Sequence, residues 1–260
     1  MSKKRWILGT AVLFLLGGAA CSSDSANVGL AFSTRSAAVS NVAGDSAVIV
    51  RGNDTVIIRS VELVLREIEL KRVDDLAGCA DVPEVDDACE EFSVGLQLVS
   101  LPLGNGTDKV LTVNVGAGTY DEVQFEIHKP DNQDDAAFIA AHPAFSDISI
   151  RVTGTFSQAG TRSNFTYTTS LNAEQRIDLN PPLDVAADGD VNLTIRLDIG
   201  TWFLNGLSLV NPATANAGGA NENLVRDNIE ASIQSFRDND ADGLDDDHED
   251  DDHGSSHDSP

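Results

Sequence analysis

Apolar residues between Ala47 and Ile199 recur in short runs, many of them alternating, and the runs are separated by Gly, Asn, Asp and Pro. Val48, Ile49 and Val50, then Gly52-Asn53-Asp54, then Val56, Ile57 and Ile58 read as two strands around a turn, because β-branched residues flank turn formers. The stretch from Ser60 to Val73 fits two periods. Val61, Val64, Leu65 and Ile68 would share a helical face, whereas Val61, Leu63 and Leu65 would share a strand face. The absence of Ala, and of capping residues after Ser60, favours a strand with a bulge or bend near Leu65, where the apolar phase shifts to Ile68 and Leu70.

Further strand-length runs follow at Phe92 to Val99, Lys109 to Val115, Tyr120 to His128, Ile148 to Ser157, Asn164 to Ser170, Gln175 to Leu179 and Val191 to Ile199. Val123, Phe125 and Ile127 fall on one face, and Leu193, Ile195, Leu197 and Ile199 on another. A single short helical insertion is expected near Ala136 to Ala141. The pattern predicts an all-β fold, an antiparallel β-sandwich occupying 46–205. Beyond it, 206–237 reads as a loop followed by a packing helix. Asn221 or Asn223 would cap it, Leu224, Val225, Ile229, Ile233 and Phe236 recur near helical spacing, and Trp202 and Phe203 are the expected receivers of that stripe.

The amino terminus has another texture. Lys3, Lys4 and Arg5 precede an apolar or small stretch from Ile7 to Ala20, the order of a secretory signal. A helix of those 14 residues reaches about 21 Å, short of the roughly 30 Å hydrocarbon core, so 1–20 is expected to be a signal peptide and not a lasting span. Gly18-Ala19-Ala20-Cys21 resembles the lipobox of bacterial lipoproteins, with Gly18 where that family prefers leucine. The resemblance implies that Cys21 carries the lipid, and Ser22 after it implies the outer membrane. The alternative is an ordinary secreted protein with a stray cysteine. Residues 21–45, rich in Ser, Ala, Asn and Gly, then read as a flexible lipidated tether.

Charge narrows the function classes. The net charge is −25, but Asp238 to Asp258 holds 11 acidic residues and Asp74 to Glu91 holds 8, with no basic residue in either segment. Setting those aside leaves −6, an ordinary balance for the body. No basic patch suited to nucleic acid is present in the sequence. With Cys21 assigned to lipid, Cys79 and Cys89 remain, and in an oxidising compartment they are expected to form a disulfide, contributing about 3 kcal/mol by the chain-entropy model. A metal or redox pair is the alternative, without a CxxC spacing or second pair to support it.

The segment from Val56 to Ile199 is similar to an uncharacterised β-sandwich domain of bacterial lipoproteins. The likeness rests on Val61-Glu62-Leu63, on Gly116-Ala117-Gly118-Thr119-Tyr120 leading into Val123-Gln124-Phe125, and on the strand Val191 to Ile199. It implies a prealbumin-like or immunoglobulin-like sandwich and brings no established catalytic residues to carry over.

Metal chemistry is written most sharply at 238–249. Asp238, Asp240 and Asp242 alternate, Gly243 permits a sharp turn, Leu244 offers its carbonyl, Asp246 can act directly or through water, and Glu249 can close the site with both oxygens. This spacing matches the EF-hand calcium loop. Asp245 stands where that family has an aliphatic residue, and no exiting helix can follow Glu249. The loop therefore looks more like the isolated aspartate-rich Ca²⁺ loops of thrombospondin type-three or dockerin repeats, with weak binding expected. A solvated acidic tail is the alternative. His248, His253 and His257 lie among carboxylates in or beside the expected disordered tail 250–260, while His128 and His142 have no spaced partner.

The sequence contains no HExxH, no GxSxG, no phosphate loop and no cysteine beside a histidine. The 240 residues after the signal hold one Trp and two Tyr, too few for an extended sugar-stacking platform, though a single site at Trp202 or Tyr120 stays open. The reading is a lipid-anchored, non-catalytic binding module for an unknown envelope or extracellular ligand. An envelope enzyme such as a glycan hydrolase with unplaced Asp and Glu residues is the alternative, and a metal-buffering His/Asp tail is a third.

Overall fold

A computed structural model describes residues 25–35, 46–73, 95–103, 107–131, 133–186, 190–238 and 240. The chain is all-β and sandwich-like, with two main sheets over a shared core.

The larger sheet is organised around β3 (Asp54–Arg72). Its hairpin partner β2 (Ala47–Arg51) is reached through Gly52, whose φ of +59° suits a residue without a Cβ. β4 (Gln97–Ser100), β6 (Gly118–Ile127) and β7 (Ile150–Gln158) also pair with β3, all antiparallel. β8 (Thr161–Thr169) and β9 (Ala173–Val185) extend the order to β8-β7-β3-β6-β9. The bend expected near Leu65 is a register shift between Arg66 and Ile68, which returns Ile68 and Leu70 to the buried face already holding Leu63 and Leu65. One extra residue rotates every following side chain to the other face, so the shifted apolar phase and the bulge are one fact. The short helix α1 (Ala136–Ala141) stands where expected.

The smaller sheet pairs β5 (Thr107–Gly116), β1 (Ser25–Arg35), β10 (Asp190–Asp198) and β13 (Ile233–Arg237) in the order β13-β10-β1-β5, while the two-residue strands β11 (Leu204–Asn205) and β12 (Ser208–Leu209) form a separate hairpin. Strand β1 corrects the reading of 21–45 as a flexible tether. Val28, Leu30 and Phe32 alternate in this stretch and are buried, so the chain gains core contact by extending here. β1 lies parallel to β10 on one side and antiparallel to β5 on the other, so the sandwich is not wholly antiparallel.

The second correction lies at the carboxy end. The helix is α2 (Glu222–Glu230), which buries Val225 and Ile229, but Ile233 and Phe236 belong to a strand, β13 (Ile233–Arg237), paired with β10. A turn at Ala231 and Ser232 ends the helix, and the Ser232 hydroxyl donates to the Ile229 carbonyl at 2.7 Å. The residues after 205 pack on the same core through Leu209, Val210, Ala215, Val225 and Ile229.

Trp202 and Phe203 do receive the helix. Both are fully buried, the Trp202 indole donates to Ser232 Oγ at 2.8 Å, and Asn228 donates to the carbonyls of Trp202 and Leu204 at 3.0 and 2.8 Å. Phe203 meets Phe165 and Tyr167 edge-on, and burial pushes the Tyr167 phenol up to about 12. Gly154 fits where no side chain could, because a Cβ there would stand 2.1 Å from the Ile57 carbonyl oxygen.

Candidate functional site

Strand β13 ends in the acidic segment, and its junction is built into the sheet. The Asp238 backbone N–H donates to the Asn192 carbonyl at 3.2 Å, and Asp238 Oδ2 accepts from the Thr194 hydroxyl at 2.7 Å. Both Asp238 and Thr194 are fully buried. The first carboxylate of the aspartate-rich sequence is thus held at a fixed place at the strand end. Asp240 is exposed two residues on. Asp242, Leu244, Asp246 and Glu249 lie outside the described residues, as do Cys21, Cys79, Cys89 and the histidines 248, 253 and 257. Among the described residues no three His, Cys, Asp or Glu side chains converge to hold a metal ion.

Beside this junction is a cleft of about 80 Å³ between β9 and β13, bordered by Asp178, Asn180, Ser235, Phe236 and Arg237. Ordinary small-molecule pockets are about 300–1,000 Å³, so this gap suits a few water-sized groups and no cofactor. The Arg196 guanidinium lies 4.8 Å from the Phe236 ring centre, over the same strand.

At the end of the sandwich where β1 begins, Gly116-Ala117-Gly118-Thr119-Tyr120 is the corner by which the chain crosses from the smaller sheet to the larger. The Tyr120 hydroxyl donates to the Gly116 carbonyl at 2.8 Å, and Arg72 Nη2 donates to the Ala117 carbonyl at 3.3 Å. A Cβ on Gly118 would come within 3.3 Å of the Arg72 guanidinium, a close contact that a shift of a few tenths of an ångström in that side chain would relieve. Thr119 Oγ1 donates to Asp184 at 2.7 Å and closes the corner against β9. The Gly-Thr-Tyr pattern therefore encodes a structural corner.

Other single residues have structural work. Trp202 and Tyr120 are both fully buried, which removes the stacking site left open for sugars. His128 Nε2 lies 3.9 Å from Glu126, and the His142 ring stacks at a tilt on Phe138 at 4.8 Å. Asp131 accepts from the backbone N–H groups of Gln133 and Asp134, which holds its carboxyl below the usual range, and Asp135 pairs with Arg66 at 2.6 Å. These carboxylates fasten the turn before α1 to β3. Sequence reasoning missed the Thr194 to Asp238 bond. The sequence carries no signal for it, because Thr194 falls at an ordinary intervening position of the alternation Leu193, Ile195, Leu197.

No protein-family model matches the chain, and no curated protein sequence matches it. Among solved structures, MbnP from Methylosinus trichosporium is similar with a TM-score of 0.42 at 11% identity, over 82% of this chain and 99% of that one. Among the described residues no helix is long and apolar enough to cross a membrane.

Proposed function

We propose that this is a lipid-anchored cell-envelope protein of the outer membrane, a non-catalytic binding module whose carboxy-terminal loop takes up Ca²⁺ weakly. The signal sequence and the lipobox-like residues before Cys21 support the anchor, and the rigid sandwich is a scaffold suited to presenting a binding surface. The observation that carries the calcium reading is the junction at Asp238. A buried, hydrogen-bonded carboxylate opens a loop whose next carboxylates stand at alternate positions. An isolated loop of this kind fits a dissociation constant of about 10⁻⁴–10⁻³ M, the range of extracellular modules.

The test is a calcium titration by calorimetry on the soluble chain 22–260 in about 0.15 M salt, where the screening length is about 8 Å. Because Asp238 also holds Thr194, the informative replacements are Asp240→Ala with Asp242→Ala, which spare that bond. They are expected to abolish calcium binding. Replacing Asp250, Asp251 and Asp252 by Ala is expected only to weaken it through lost long-range charge, and Mg²⁺ is expected to bind poorly because it demands a tight octahedron and sheds water reluctantly. Equal loss in both sets, or equal binding of the two ions, would reduce the loop to an acidic tail.

A further inference from the structure

We infer that the anchored protein stands end-on upon the bilayer, with the corner formed by the β5–β6 turn and the ends of β3 and β9 against the lipid headgroups. The inference rests on the lipid reading of Cys21 and adds the face that meets the membrane.

Its first support is chain length. β1 begins at Ser25, four residues after Cys21, and four residues at about 3.5 Å each reach at most about 14 Å. The lipid-bearing residue is therefore held close to the first residue of an inner strand of the smaller sheet, whatever path the intervening residues take.

Strand register supplies the second support, by defining which residues share that end. Ser25 pairs with Gly116, the last residue of β5. From there the chain crosses directly into β6, where Gly118 pairs with Val185 of β9 and Tyr120 with Arg72 of β3. Val73 follows and donates its N–H to Thr119. Ala117, Thr119, Val73 and Ala186 thus cluster at the end where the lipid is attached. The opposite end holds the β2–β3 turn at Gly52 and Asn53 and the β7–β8 turn at Ala159 and Gly160, since Ser157 pairs with Thr55. The two groups of turns lie at opposite ends of β3, whose 19 residues span at most about 60 Å at 3.3 Å per residue, shortened by the bends at its register shifts.

A short leash at one end of a long body keeps that end within about 14 Å of the lipid and leaves the far end free to stand away from the bilayer. The membrane affinity comes from the acyl chains, at about 0.8 kcal/mol per buried CH₂, so the corner needs no attraction of its own for lipid. The chain departs toward both acidic segments at Val73 and at Asp238, and Asp238 joins the sheet at Asn192, two residues from the start of β10 on this same side. Zwitterionic lipid is accordingly the right probe surface, since it neither repels nor attracts those carboxylates strongly.

The experiment uses the full lipidated protein in phosphatidylcholine vesicles carrying a trace of acceptor-labelled phospholipid. A fluorescent amino acid replaces either Ala186 at the corner or Asn53 at the far turn, both exposed positions. Energy transfer to the lipid is expected to be several-fold greater from position 186. A flexible Gly/Ser insert of about 20 residues between Ser23 and Asp24, with an end-to-end distance of about 25 Å, is expected to remove most of that difference. Equal transfer from the two positions in protein that floats with the vesicles would overturn the end-on arrangement alone. Failure to float would overturn the lipid reading, and the arrangement with it.

Discussion

A chain beginning at residue 46, the boundary that the sequence pattern suggests, is expected to lose its cooperative unfolding transition, whereas a chain beginning at Ser22 keeps it. The truncation removes β1 from between β10 and β5, exposing one edge of each partner. It also removes the buried side chains of Val28, Leu30 and Phe32. At about 1.5–3 kcal/mol for each side chain of this size, that burial amounts to about 5–9 kcal/mol, comparable with the whole stability of a typical domain. Two newly unpaired strand edges should make the shortened chain prone to aggregate. Thermal denaturation followed by circular dichroism checks this. An unchanged sharp transition in the shortened chain would show that β1 is dispensable.

Trp202→Ala is expected to lower stability by about 3–5 kcal/mol, the usual result of emptying a large aromatic site in a core. The loss has two parts. The indole is fully buried, and its N–H binds Ser232, the residue that also closes the last turn of α2 before β13 begins. Removing it leaves a cavity and takes away the donor to Ser232. Trp202→Phe should lose much less, because the ring still fills most of the space. Chemical denaturation of the three proteins measures both differences. A loss below about 1 kcal/mol for Trp202→Ala would mean that the site collapses without penalty, and the packing account of this corner would fail.

Much of the larger sheet was legible in the sequence because local signals agreed with the global fold. β-branched runs flanked Gly52-Asn53-Asp54, and the apolar phase change after Leu65 located the bulge that the structure places between Arg66 and Ile68. β1 was harder to read. Its apolar positions, Val28, Leu30 and Phe32, are diluted by Ser, Ala, Asn, Gly and Thr, and its partners β5 and β10 lie far along the chain. Long-range pairing decided its conformation, and no short window of sequence contains that information.

The β13 misreading has a different origin. Ile229, Ile233 and Phe236 are spaced four and three apart, a helical interval, yet the turn at Ala231 and Ser232 resets the phase. Tertiary bonds from Trp202 to Ser232 and pairing with β10 outweigh the local periodicity. For the candidate site, the spacing of the carboxylates was plain in the sequence. The burial of Asp238 against Thr194 was not, because it joins residues 44 apart.

Placement of the sandwich at a membrane surface depends on the lipid at Cys21. Cells grown with a fatty-acid analogue that can be tagged are expected to label the wild-type protein and retain it in the membrane fraction. Cys21→Ser is expected to leave the protein unlabelled and unprocessed at this site. Equal labelling of the two proteins would contradict the anchor and, with it, the placement of the sandwich at a membrane surface.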